Sequence, residues 1–61
     1  MIYKNIKKIC DSKKISIREL ECRAELGNGT ISGWKTSSPT VEKLKRVADV
    51  LECTIDKLIE L

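Results

Sequence analysis

Hydroxyl, amide and cationic side chains cluster in the middle of the chain, where they suit hydrogen bonding and charge neutralisation better than covalent chemistry. The passage from Ser16 to Thr40 supplies serine, threonine and asparagine groups with lysine and arginine among them. The chain contains no histidine, and it shows neither a phosphate-binding loop nor paired carboxylates that could act as general acid and base. We therefore expect a binding protein and no enzyme.

The charge balance permits a polyanionic partner without requiring one. The chain has 61 residues and a formal net charge of +3, with a pI near 8.9, which falls short of the strongly basic balance that by itself indicates nucleic acid. A chain this short can form only one small domain, which we expect to occupy residues 1–61. No apolar run is long enough to span a membrane and no signal peptide begins the chain, so we expect a cytoplasmic protein without a membrane partner.

The cysteines follow neither a metal-binding nor a disulfide pattern. Cys10, Cys22 and Cys53 are odd in number, form no C-x-x-C pair and have no histidine to complete a metal site. We interpret them as thiols packed near apolar faces, with oxidation sensing as the alternative. We expect no metal, no cofactor and no small-molecule ligand.

The elements that position the central passage are helices. Apolar residues recur at helical spacing over residues 2–13 and predict a first helix there. Ser16 and Glu19 have the spacing of a capping box, in which each side chain pairs with the other residue's amide. This box predicts a second helix that ends at about residue 24 or 25.

Turn and cap signals divide the rest of the chain. The G-N-G sequence at 27–29 predicts a tight turn, and either of its first two residues could cap a third helix that ends at T-S-S-P. Thr40 caps a fourth helix, and a short fifth helix follows Thr54. The pattern predicts an all-α, compact five-helix domain whose second and third helices have the spacing of a helix-turn-helix.

The order of these segments resembles the helix-turn-helix domain of the phage repressor and Cro family, also called the XRE family. The resemblance is carried by I-S-I-R-E-L in helix two, L-G-N-G-T-I-S-G-W through helix three, S-S-P-T-V-E-K-L-K-R-V-A-D-V-L in helix four and C-T-I-D-K-L in helix five. It implies a lambda-repressor-like fold in which helix two lies across the DNA backbone and helix three enters the major groove. It also implies a core containing Leu20, Leu26, Ile31 and Trp34.

The resemblance further implies which residues read bases. The base-reading positions fall on Asn28, Gly29, Thr30, Ser32, Gly33 and Thr36. Asn28 could pair with adenine, or it could be only a cap or turn residue. Gly33 either lets the helix backbone lie deep in the groove or has no such role and only weakens the helix. Trp34 belongs to the core in our interpretation, and a stacking platform for single strands is the alternative.

Some residues depart from the family pattern. Glu25 stands at the turn position where the family usually has a glycine in the left-handed conformation, at a cost of about 1 kcal/mol. Glu21 stands where alanine commonly packs against helix three, so its carboxylate must reach solvent or find a partner. Ile17 replaces a glutamine that commonly supports the contact with the DNA backbone.

Helix N-termini and cations supply candidate phosphate contacts. A helix start presents free amides and a partial positive charge that attract phosphate. The candidate anchors are Ser16, Ser37 and Thr40, and the candidate cations are Lys35, Lys43 and Arg18. We interpret the lysines of the first helix as a solvated face, with contact of Lys7 or Lys8 with phosphate as the alternative.

Together these features predict a sequence-specific regulator of transcription, a repressor of phage or mobile-element type that binds a double-stranded DNA operator. One such domain covers half an operator, so we expect a homodimer. The predicted interface consists of Ile55, Leu58, Ile59 and Leu61, and closing the core of the monomer is the alternative role of these residues. The alternative function is a protein-interaction module of antitoxin or adaptor type.

Overall fold

Each helix signal in the sequence corresponds to a helix in the structure, a computed structural model that describes residues 2–59. Within that range the chain forms five α-helices and no strand. They are α1 (Ile2–Lys13), α2 (Ile17–Arg23), α3 (Thr30–Gly33), α4 (Val41–Leu51) and α5 (Ile55–Ile59). The predicted all-α, five-helix fold is confirmed.

Side-chain caps define the starts of α2 and α4. The Ser16 hydroxyl accepts a hydrogen bond from the Glu19 amide at 3.0 Å, and the Thr40 hydroxyl accepts one from the Lys43 amide at 3.2 Å. Each cap satisfies one of the amides that a helix start leaves unpaired. The Glu19 carboxylate, which the capping-box pattern assigns to the Ser16 amide, pairs with Arg23 one turn later. Only half of the predicted box is therefore formed.

A mostly aliphatic core holds the helices together, which the short α3 and α5 require because isolated helices of their length are not stable in water. α1 and α4 both pack against α2 and α5, and α3 packs against α2. The buried apolar side chains are Ile6, Cys10, Leu20, Ala24, Ile31, Trp34, Leu44, Val47, Ala48, Leu51 and Leu58. Trp34 is only 6% exposed, so its predicted core role is confirmed and it is no stacking platform. Leu26 packs at the edge of the core, partly buried.

Helix α3 is shorter than the sequence pattern predicts, and a different residue precedes it. Gly29 occupies the N-cap, rather than either of the two residues before it. After Gly33 the chain continues as tight turns, because the amides of Lys35 and Thr36 each bond to the carbonyl three residues back, both at 3.2 Å. Residues 30–36 thus form one α-helical turn followed by tighter turns.

Non-glycine residues adopt the left-handed conformation at helix ends. The φ angles are 59° at Lys14, 58° at Glu25 and 55° at Glu52. The conformation of Glu25 is the one predicted for the turn before α3. In this region the Cβ atom crowds the following carbonyl, at a cost of about 1 kcal/mol that glycine avoids.

We expect Lys14→Gly to stabilise the protein by about 1 kcal/mol, which raises the unfolding midpoint by roughly 4–8 °C for a domain of this size. Lys45→Gly is the matched control because it removes the same side chain from the interior of α4, where glycine costs about 1 kcal/mol. Thermal unfolding followed by circular dichroism measures both variants. A loss of stability in both would contradict strain at Lys14.

Candidate nucleic-acid interface

Backbone hydrogen bonds hold the turn between α2 and α3. The Leu26 amide donates to the Glu21 carbonyl at 2.8 Å, and the Thr30 amide donates to the Gly27 carbonyl at 3.1 Å. Gly29 has φ 85°, a conformation that residues with a side chain rarely adopt. The turn places α3 against α2, as the predicted helix-turn-helix requires.

A buried carboxylate caps α3. Glu21 is 4% exposed, and its two carboxylate oxygens accept hydrogen bonds from the Gly29 amide at 3.2 Å and the Ile31 amide at 2.9 Å. Gly29 has no side chain with which to cap the helix itself, and the free amides at a helix start favour a negative group. The sequence left two outcomes for the Glu21 carboxylate, exposure to solvent or a hydrogen-bonding partner. The structure shows a partner, which is the start of α3. A residue of α2 therefore sets the position of α3.

A side-chain hydrogen bond joins the first turn of α2 to the turn before α3. Arg18 Nη1 donates to Asn28 Oδ1 at 3.0 Å, and both side chains are exposed. Arginine has only donors, so the amide oxygen of Asn28 must face it. The N-cap of α3 is Gly29, so Asn28 does not cap this helix. Sequence reasoning missed this pairing because the two residues are ten positions apart and neither shows a local pattern.

The predicted base-reading residues lie along α3 and its flanks. Asn28, Gly29, Ser32, Gly33 and Thr36 are exposed, and Thr30 is half-buried. A Cβ atom added at Gly33 would meet no atom within 4 Å. Packing within the chain therefore does not explain this glycine.

Among the predicted phosphate anchors, some hydroxyl groups accept a hydrogen bond and others donate one. Ser16 and Thr40 accept hydrogen bonds from amides, so each keeps a hydroxyl hydrogen that can be donated to a phosphate oxygen. Ser37 instead donates to the Gly33 carbonyl at 2.9 Å, and Thr36 donates to the same oxygen at 3.4 Å. Phosphate oxygens only accept hydrogen bonds, so a hydroxyl that donates to a carbonyl must break that bond before it can donate to phosphate. Ser37 and Thr36 would each have to give up this bond to donate to phosphate, so Ser16 and Thr40 are the better placed candidates.

The candidate cations differ in their neighbours. Lys43 is exposed in the first turn of α4. The Lys35 ammonium lies 4.8 Å from the centroid of the Tyr3 ring, a cation–π contact that turns it towards α1. Lys7 pairs with Asp11 at 3.0 Å, and this hydrogen bond raises the pKa of Lys7 above its ordinary value. We therefore favour Lys43 as the lysine that contacts phosphate.

The predicted dimer residues have different exposures. Leu58 is fully buried in the core of the chain, so its side chain offers no surface to a second copy and the interface prediction does not hold for it. Ile59 is 47% exposed, and Ile55 is partly buried against the core. Leu61 lies outside the described residues.

The cysteines do not share one environment. Cys10 is buried and Cys53 is half-buried, and burial raises the pKa of both thiols. Their interpretation as packed thiols holds, whereas Cys22 is exposed on α2 and does not fit it. Within residues 2–59 no group of three or more His, Cys, Asp or Glu side chains could hold a metal ion. In the same range no helix combines the length and apolar character needed to cross a membrane.

A comparison with protein families identifies the family of this chain. The model of the Cro/C1-type HTH DNA-binding domain matches residues 5–61. No curated protein and no solved structure matches the chain. The family match includes α2 to α5 entirely and most of α1.

Proposed function

Because the chain belongs to the family of Cro/C1-type helix-turn-helix DNA-binding domains, we propose that it represses transcription by binding a double-stranded DNA operator as a homodimer. The observation that carries the proposal is the surface of α3. Ser32 and Gly33 are exposed there and Asn28 is exposed in the turn before it, while Ile31 is fully buried and fastens the helix to the core. A short helix with one face fixed and the other bare is suited to entering the major groove.

Phosphate contacts on the neighbouring helices support this docking. α2 packs against both α3 and α4, so the capped starts of α2 and α4 lie on helices that form one packed unit with α3. Ser16 and Thr40 can each donate a hydroxyl hydrogen to phosphate while they cap their helices. Lys43 adds a cation beside Thr40. These contacts fix orientation on the duplex, and the residues of α3 read the bases.

The homodimer is proposed because one recognition helix reads too few bases to select an operator from a genome. Of the predicted interface residues that the structure describes, Ile59 is the most exposed, at 47%. Two copies related by a two-fold axis would place their recognition helices in successive major grooves. A dimer at a promoter then blocks access of RNA polymerase.

Selection from a randomised duplex DNA pool tests the proposal. We expect a two-fold symmetric motif with half-sites about one helical turn apart. An asymmetric motif would contradict the homodimer but not sequence-specific binding. Enrichment of no motif would contradict the proposal as a whole and direct the search to a protein partner.

A salt series with the selected duplex tests the phosphate contact of Lys43. Lys43→Gln should weaken binding to all sequences alike and reduce the log–log dependence of affinity on salt by about 0.9. Lys45→Gln is the matched control, since Lys45 is also exposed on α4 and carries the same charge. An equal change of slope in both variants would show a general effect of charge rather than a contact at Lys43.

A further inference from the structure

We infer that Arg18 and Asn28 form one reading unit in which donors outnumber acceptors, and that this unit selects guanine in the operator. The inference rests on the proposed function, because it assigns a base to the same surface. Its starting point is the hydrogen bond of 3.0 Å from Arg18 Nη1 to Asn28 Oδ1. That bond changes which hydrogen-bonding groups asparagine can offer to DNA.

A free asparagine side chain offers one acceptor and one donor, a combination that matches adenine. The amide oxygen accepts from the N6 amino group of adenine, and the amide nitrogen donates to N7. In this protein one lone pair of the oxygen already accepts from a cationic donor, so any base that uses the other lone pair must approach beside the guanidinium. An adenine amino group at the same oxygen would bring its hydrogens up against the guanidinium, which also presents hydrogens. Adenine is therefore disfavoured.

Guanine differs from adenine in the groups that it presents. Its N7 and O6 atoms in the major groove are both acceptors. The NH2 group of Asn28 and the remaining N–H groups of Arg18, which carries five donors in all, supply donors and nothing else. Gly29 beside Asn28 has no side chain, and a Cβ atom built there meets nothing within 4 Å, so the chain itself leaves the approach open.

The pair should persist when DNA binds. Both side chains are exposed in the free protein, where water weakens such a hydrogen bond. A groove contact excludes water and strengthens a charge-assisted hydrogen bond, as a lower local dielectric does elsewhere in proteins. The negative potential of the phosphates also retains the guanidinium at this site.

Selection from the randomised duplex pool with the full chain and its variants tests the inference. For the unmodified protein we expect one guanine in each half-site, preferred over adenine by roughly tenfold. Asn28→Asp, which leaves only the donors of Arg18, should weaken that preference and so identify the base pair concerned. Arg18→Ala should release the asparagine oxygen and shift the preference at that pair from guanine to adenine.

The matched control is Arg46→Ala, which removes an arginine that is also exposed and also paired, with Glu42 on α4. It should leave the motif unchanged. Adenine or thymine at the identified position in the unmodified protein would overturn the inference, and so would an Arg18→Ala variant that weakens all sequences without changing the motif. In either case the symmetric motif itself would remain, whereas failure of the proposed function would leave no motif for any variant.

Discussion

Glu21→Gln is expected to destabilise the protein by about 3 kcal/mol, because it replaces the carboxylate that caps α3. Both carboxylate oxygens accept hydrogen bonds from amides, at 3.2 Å from Gly29 and 2.9 Å from Ile31. A glutamine of the same shape keeps one acceptor and turns an NH2 group towards the other amide, so that two donors face each other. The side chain is only 4% exposed, and water cannot easily relieve this mismatch.

The expected loss is large relative to the total stability, which is roughly 3–9 kcal/mol for a chain of 61 residues. Urea unfolding followed by circular dichroism measures the loss. Amide resonances report its location, since the Gly29 and Ile31 amides should shift and exchange faster than those of α4. DNA affinity should fall with the loss of a fixed recognition helix, including at temperatures where most of the variant is folded.

Glu19→Gln is the matched control on the same helix. Glu19 is exposed and pairs with Arg23 at the surface, an interaction of roughly 0–1 kcal/mol. A small loss in this variant and a large one in Glu21→Gln would show that the position of the carboxylate matters. Equal small losses would contradict the capping role of Glu21.

The parts of the fold that could be predicted from the sequence depend on neighbouring residues. Ser16 and Thr40 cap helices through amides three positions later, and a cap of that kind is visible in the residue pattern. The left-handed conformation of Glu25 followed from its place in a family-like turn. The length of α3 was missed because hydrogen bonds after Gly33 form turns, which the apolar spacing of Ile31 and Trp34 does not distinguish from a longer helix.

The parts of the site that could not be predicted depend on contacts between elements. Glu21 reaches amides eight and ten positions away, and Arg18 reaches Asn28 across ten. Nor does residue type reveal the direction of a hydrogen bond. Ser16 and Ser37 were equivalent candidates in the sequence, yet one accepts from an amide and the other donates to a carbonyl. That difference makes Ser16 better placed than Ser37 to donate to phosphate.

Gly33→Ala is expected to change stability and DNA affinity in opposite directions. In the free protein the added methyl group meets nothing within 4 Å, and the backbone there is not left-handed. Alanine should therefore stabilise the helix end by about 0.5–1 kcal/mol, since it restricts the unfolded chain more than glycine does. If the backbone of α3 lies against the floor of the groove, the same methyl group should cost about 1–3 kcal/mol in binding, as overpacking does in other closely packed contacts.

Ser32→Ala is the comparison variant, which separates the effect of added volume at Gly33 from the effect of any change to the surface of α3. Ser32 is exposed on the same helix turn, and its substitution removes a hydroxyl group without adding volume. We expect Gly33→Ala to bind the selected duplex roughly 10- to 100-fold more weakly, while thermal unfolding shows it to be the more stable protein. A variant that is stabilised and binds normally would show that the DNA does not approach Gly33 closely. The packing of the free protein does not explain a variant that is more stable and binds DNA more weakly. That combination would show that the DNA approaches Gly33 closely.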